Sequence, residues 1–312
     1  MPKIYLNSFN YRKYSLERAM RRAREYGYDG VEIWSGHFKL ETVEQTLQEA
    51  QRLGREIGIG APVLNLSGNV IGDDPEKRQT RVRRLLEVIQ RCPEYGVELI
   101  NGYAGSLIVD RTNWASNGSA AATEEHYQRA TDAYRTLGSA AERAGISITL
   151  EVHMNTIHDT AASTVRLLDA IGSPAIGANL DPGNMWGVRT SEHPVDAVSI
   201  LGDRTTFVHF KNARRVTYLD VGVDYDFTLR AGELDYYAIV SSLVRAGFSG
   251  PYGIEWSGSG DPGVPSKDDV EYLRSLLRDV ALDEALTSRQ MHGAAPGNHS
   301  GGAPASDHKE PL

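Results

Sequence analysis

Apolar and polar positions along this chain follow two rhythms. Short runs dense in β-branched and aromatic residues read as strands, and between them apolar residues recur every three or four positions, the period of an amphipathic helix. The strand-like runs are KIYLNSF (Lys3 to Phe9), GVEIW (Gly30 to Trp34), PVLNLSG (Pro62 to Gly68), VELINGYAG (Val97 to Gly105), ISITLEVH, IGANLDPGN, TFVHFKN and YGIEWSG. Helical spacing is clearest in VEQTLQEAQRLGREIG and RVRRLLEVIQRC. Glycine stands where helices should stop, at Gly27, Gly58, Gly96, Gly145, Gly172 and Gly247, as expected of the left-handed residue that ends a helix. A β–α unit repeated eight times predicts an α/β fold with a closed parallel barrel, (β/α)8, in preference to a doubly wound open sheet.

Two connections exceed what a barrel needs, Ser106 to about Thr123 and Asn212 to about Glu233. Both follow strands, so both are expected on the face where the strands end, as lids or binding loops. Residues 1–287 read as one catalytic domain. Residues 288–312 are rich in Gly, Ala, Pro and Ser without apolar periodicity and read as a disordered tail.

Composition narrows the function classes. A chain that is 40% hydrophobic and 24% charged is ordinary for a globular protein. The lone Cys92 forbids an internal disulfide, and MPKIYLNSFN has no apolar signal segment, so a cytoplasmic protein is expected. No run approaches the ~20 apolar residues of a membrane helix. A net charge of −8 disfavours electrostatic capture of nucleic acid. A small-molecule substrate is expected, with assembly into a homo-oligomer or with a partner subunit.

The candidate chemistry sits in the second half. Four of the runs end in Glu151, Asp181, His209 and Glu255, spaced 30, 28 and 46 residues apart (181−151, 209−181, 255−209). A βαβ unit takes roughly 30 residues or more, so these belong on successive strands whose ends meet on one barrel face. Three carboxylates and an imidazole make a hard site for Mg²⁺ or Mn²⁺. Alternation along a strand puts His153 and Thr149 on the face of Glu151, Asn179 on that of Asp181, and Lys211 on that of His209. Asn65 with Ser67, Glu32 with Trp34, Asn101, Asn155 and Arg215 lie at the same rim, where polar groups and the rings of Trp34, Trp186 and Trp256 can contact a substrate.

The set EVH (Glu151–His153), LDPGN (Asp181–Asn184), VHFKN (His209, Lys211) and GIEWSG (Glu255), with GVEIW near the start, resembles the xylose isomerase-like TIM-barrel superfamily, within it the sugar phosphate isomerase/epimerase group. The likeness spans Ile4 to about Leu282. It implies one divalent ion, Mn²⁺ foremost with Mg²⁺ or Co²⁺ as alternatives, held by Glu151, Asp181, His209 and Glu255. It also implies Glu151 and Glu255 as the proton-transferring pair of an epimerase. Where many sugar epimerases carry a second histidine after the Asp, this chain has Asn184. Asn65, Asn184, Lys211, Arg215 and Trp256 are the expected substrate contacts.

The expected activity is metal-dependent isomerisation or epimerisation of a keto or aldo sugar by proton abstraction next to a carbonyl. The alternative is a lyase or dehydratase that eliminates from an oxidised sugar, of the inosose dehydratase or 3-keto-glycoside type, with the free imidazole of His153 as base. A DNA-repair endonuclease on the same barrel would need a basic groove and a zinc cluster fed by many inward histidines, and this chain offers neither. A non-catalytic binding subunit is disfavoured because all four ligand positions are filled.

Overall fold

The strands are buried along almost their whole length, which is why they read as apolar runs rather than as alternation. The computed structural model describes residues 2–216 and 222–293. The barrel strands are β1 (Ile4–Asn7), β2 (Gly30–Ile33), β3 (Val63–Asn65), β4 (Leu99–Gly102), β5 (Ser147–Glu151), β6 (Ile176–Leu180), β7 (Thr205–Phe210) and β10 (Tyr252–Ile254). They follow one another in chain order, all neighbours parallel, and β10 closes on β1. The predicted (β/α)8 barrel is the observed fold.

Helices cover the outside: α1 (Leu16–Tyr26), α2 (Val43–Ile57), α3 (Pro75–Arg91), α4 (Glu124–Ala144), α5 (Ala161–Ile171), the short α6 (Pro182–Trp186), α7 (Pro194–Leu201), α8 (Tyr236–Arg245) and α9 (Gly263–Gly293). Side chains at their starts satisfy free backbone donors, as Ser15 does for Arg18 and Asp74 for Glu76 and Lys77. All six glycines expected to stop helices have positive φ. The sequence places the tail from residue 288, but α9 continues to Gly293; residues 294–312 lie outside those described. The first strand is also shorter than the run KIYLNSF, because the Asn7 side chain caps a 3₁₀ turn at Ser8–Tyr11.

Both long connections follow strands as expected. In the first, Leu107 N–H donates to Asn155 O (2.7 Å) and Gly118 N–H to Leu107 O (2.9 Å), which clasps the loop against the end of β5. Its interior is filled by Asn117, whose Oδ1 accepts from the Val109 and Asp110 amides. The second contains an antiparallel hairpin, β8 (Arg214–Arg215) with β9 (Val223–Asp224); residues 217–221 are outside those described.

Inside the barrel, polarity changes with depth. Tyr5, Val63, Leu99 and Phe207 form an apolar cluster at one end. Two residues further along the same strands stand Asn7, Asn65, Asn101 and His209, because alternate residues share a face. Gly253 has no side chain because a Cβ there would lie 2.7 Å from the His209 ring and 2.9 Å from that of Phe207. Among the described residues no helix is long and apolar enough to cross a membrane.

Candidate metal centre

Strand alternation brings Glu151, Asp181, His209 and Glu255 to the polar end of the barrel, with one ligand atom from each inside a 4.8 Å sphere of mutual distances. Around the His209 Nδ1, Glu151 Oε2 stands at 3.7 Å, Asp181 Oδ2 at 3.8 Å and Glu255 Oε2 at 3.7 Å. Nδ1 is fully buried and makes no hydrogen bond. An orphaned imidazole nitrogen facing three carboxylate oxygens at such distances is costly unless a cation completes it. The residues therefore fit a divalent ion with mostly oxygen donors.

The orientation of His209 is set from behind. Its Nε2 lies 2.7 Å from Glu32 Oε2, with both side chains wholly buried. Glu32 Oε1 accepts from Asn65 (2.9 Å) and Asn101 (3.0 Å). A carboxylate behind a histidine fixes its tautomer and turns the other nitrogen towards the metal. Asn101 is fully used: Nδ2 also donates to Glu151 Oε2 (3.0 Å), and Oδ1 accepts from Thr149 and Asn179. The in-register pairs Asn65↔Asn101 and Asn101↔Thr149 place these groups in one layer directly beneath the ligands.

Asp181 also caps α6, accepting from the Asn184 amide at 2.9 Å. The Asn184 side chain donates to Glu151 Oε1 and Asp181 Oδ2, each at 2.8 Å, and accepts from Lys211 Nζ at 3.1 Å. Lys211 is buried and pairs with Glu255 Oε1 at 2.7 Å and Asp181 Oδ2 at 3.3 Å. Asn7 holds the second oxygen of Glu255 at 3.2 Å.

These charges control one another. Burial alone would raise Asp181, but Lys211 and then His209 hold it down at about 2. Burial opposes the charge on His209 and Lys211 too, yet the surrounding carboxylates, Glu32 foremost for His209 and Asp181 for Lys211, push both well above their ordinary values. Glu151 is raised, by burial first, with Asp181 and Glu255 adding to it.

The remaining predicted residues fall into four places. Asn65 and Asn184 lie within the hydrogen-bond network just described, with Lys211 beside the quartet. Trp256 is buried beside Gly258, and its amide donates to Asn10 Oδ1 (2.7 Å). Arg215 is exposed on β8, with its guanidinium 4.1 Å above the Trp186 ring. His153, just beyond β5, stacks on Tyr103 with ring centroids 5.0 Å apart, and its Nδ1 lies 3.0 Å from Met154 O. A carbonyl only accepts, so Nδ1 carries the proton and Nε2 of the neutral ring is left with a free lone pair.

Sequence reasoning had set Glu32 at the rim among sugar contacts, whereas the barrel buries it behind His209. Asn7 was missed altogether, though it follows from the inward alternation of β1.

Two curated relatives are 3-dehydroshikimate dehydratases. That of Bacillus anthracis is 27% identical over 220 residues, 69% of this chain and 72% of the relative. That of Pseudomonas putida is 27% identical over 263 residues, 80% of this chain but only 38% of the relative. Among solved structures, an L-ribulose 3-epimerase superposes with a TM-score of 0.74 at 18% identity, covering 96% of this chain and 100% of that one, a likeness of fold. The family model described as xylose isomerase-like TIM barrel matches residues 20–276. By that match and by its closed eight-stranded barrel, this chain belongs to the xylose isomerase-like TIM-barrel family.

Proposed function

We propose that the protein is a metal-dependent dehydratase of a small cyclic keto acid of the 3-dehydroshikimate type, acting by β-elimination. The lyase alternative thus takes precedence over the epimerase expectation. The observation that carries it is the division of labour at the end of β5. Glu151 is occupied at both oxygens, by Asn184 and Asn101, and Glu255 at both, by Lys211 and Asn7. As ligands of an ion and acceptors of these hydrogen bonds, both carboxylates would be weaker bases than an imidazole held by neither. His153, by contrast, stands clear of the quartet with Nε2 available. The two dehydratase relatives support the substrate class.

A divalent ion held by Glu151, Asp181, His209 and Glu255, Mn²⁺ or Mg²⁺, would polarise the substrate carbonyl and offset the negative charge that grows on its oxygen. His153 Nε2 takes the proton from the carbon next to that carbonyl. The electron pair left behind forms the carbon–carbon double bond as the β-hydroxyl departs. The imidazolium returns its proton to that leaving oxygen, so one water is lost and the ring ends neutral. Lys211, fixed by Asp181 and Glu255, keeps a positive charge beside the reacting oxygens.

The test is incubation of Mn²⁺-loaded enzyme with 3-dehydroshikimate, following the aromatic product by ultraviolet absorbance. In parallel, ketoses are incubated in D₂O. Aromatic product should form and should fall by roughly 10²–10⁴-fold in His153→Ala, with metal affinity unchanged. Deuterium entering a ketose epimer, at a rate indifferent to His153→Ala, would overturn the reading.

A further inference from the structure

The segment after β5 carries His153 on a turn with little freedom. The His153 carbonyl accepts from the Thr156 amide at 3.2 Å and from the Thr156 hydroxyl at 2.8 Å. Within that turn, Asn155 is the one described non-glycine residue with a positive φ, 62°. Such strain persists where surrounding structure imposes it, often at functional sites. Here the loop after β4 imposes it: Ser106 forms an antiparallel bridge with Thr156, and the Leu107 amide donates to Asn155 O.

The ring of His153 is held by the same loop. Tyr103, the half-buried residue that follows β4, lies against the imidazole with the two ring planes 33° apart. Its backbone is stitched to the loop after β3, where Gly68 N–H donates to Tyr103 O (3.3 Å) and Val70 N–H to Ala104 O (2.8 Å). Burial pushes the Tyr103 phenol up; the Ser67 side chain opposes the push, and the charges of Glu151 and Glu255 add to it. The phenol therefore stands within the field of the metal ligands.

Both halves of this stack are tied to His158, a wholly buried histidine. Its backbone amide donates to Thr156 Oγ1 (3.3 Å), the hydroxyl that holds the His153 carbonyl. Its Nε2 accepts from the Ala104 amide (3.1 Å), next to Tyr103. Burial foremost lowers the imidazole to about 3, so the ring stays neutral, with Nε2 as acceptor and its proton on Nδ1. The His158 carbonyl in turn accepts from Thr164 Oγ1 of α5 (3.0 Å). An apolar side chain at this position would strand the amide of Ala104, itself fully buried.

We propose that Tyr103 and His158 are positioning residues for the base: the Tyr103 ring confines the plane of the His153 imidazole, and His158 fixes the spacing between the two strand ends that carry the pair. The proposal rests on the dehydratase reading for the reaction that His153 serves. Neither residue passes a proton in that reaction; together they hold a rotatable ring in the attitude it needs.

NMR of Mg²⁺-loaded enzyme labelled in its histidines reads the stack through the ring current of Tyr103, with the His153 signals identified by their loss in His153→Ala. Tyr103→Leu and His158→Leu should move those signals, and Tyr103→Phe, which keeps the ring, should hold them near the wild-type position. With 3-dehydroshikimate, kcat should fall roughly 10- to 100-fold in Tyr103→Leu with KM within about twofold, and Tyr103→Phe should regain most of the rate. His158→Gln, whose amide oxygen can accept from Ala104, should regain most of what His158→Leu loses, with thermal melts to check the fold. The Tyr103 variants, at a half-buried site, keep the proposal falsifiable if His158→Leu does not fold. His153 signals indifferent to Tyr103→Leu, a loss that falls on KM with kcat intact, or a Tyr103→Phe enzyme as slow as Tyr103→Leu would overturn it. Wild-type signals and rate in His158→Leu would strike out the anchor. The NMR readout needs no turnover: if 3-dehydroshikimate is not dehydrated yet the His153 signals respond as expected, the stack stands and the dehydratase reading falls.

Discussion

Replacing Glu32 with glutamine tests whether the metal centre is oriented from below. Glu32 presents one oxygen to His209 Nε2 at 2.7 Å and the other to the amide donors of Asn65 and Asn101 at 2.9 and 3.0 Å. All three partners donate, and a carboxylate can accept from all of them. Glutamine has one oxygen and one NH₂. If its oxygen faces His209, its NH₂ confronts two amide donors. If its oxygen faces the asparagines, its NH₂ faces Nε2, and the imidazole proton moves to Nδ1, the nitrogen meant for the metal. Either arrangement loses a charge-assisted hydrogen bond worth about 1.5–3 kcal/mol or strands a buried donor at a similar cost. Metal affinity should fall about 10- to 100-fold, the usual consequence of removing such a partner, or roughly 1.4–2.8 kcal/mol. Calorimetric titration with Mn²⁺ at pH 7 measures it, and circular dichroism confirms the fold. Wild-type affinity in Glu32→Gln would refute the idea that Glu32 sets the tautomer.

Three further outcomes follow from the same geometry. The carboxylates hold metal-free His209 protonated well above its ordinary value, against the opposing effect of burial. Metal binding must then displace a proton, so apparent affinity should rise up to about tenfold per pH unit across neutrality, and an indicator dye should register the release; pH-independent affinity between pH 6 and 8 would count against it. Burial pushes Asp269 up to about 8, where its carboxyl accepts from the Leu229 amide. The native state thus keeps a proton that the unfolded chain loses near pH 4, and the stability this group contributes is full below that pH and lost as pH rises through 8. Asp269→Asn keeps the acceptor without the charge, so urea melts should show it more stable than wild type at pH 8 by on the order of 2 kcal/mol, with no gain at pH 4. Gly118 has φ +63°, and a Cβ there would lie 1.9 Å from Asp159 Oδ2. Gly118→Ala should cost about 2–4 kcal/mol and lower the melting temperature, and an unchanged melt would show that the clasped loop adapts freely.

The barrel, and the strand-end positions of Glu151, Asp181, His209 and Glu255 that it brings together, were legible because strands and helices announce themselves through local order. Strand runs carry a period of two, helices a period near 3.6, and glycine marks the stops. Partners joined only by closure were not legible. Glu32 and His209 lie 177 residues apart, and only the circular arrangement of the strands brings them together. The alternation of β1 to β4 did hold a signal, since Asn7, Glu32, Asn65 and Asn101 all fall on inward positions near the strand ends. Reading those as rim contacts overlooked depth: an inward residue on a short strand sits beneath the ligands of a longer one.

The stopper of Tyr5, Val63, Leu99 and Phe207 has a kinetic consequence. It seals the far end of the cylinder, so reactant, product and ion share a single doorway. A spent molecule must vacate before the next can enter, and cation exchange should slow while the doorway is occupied. Product should therefore compete directly with substrate, and a chelator should strip the ion more slowly from the product-bound enzyme than from the free one.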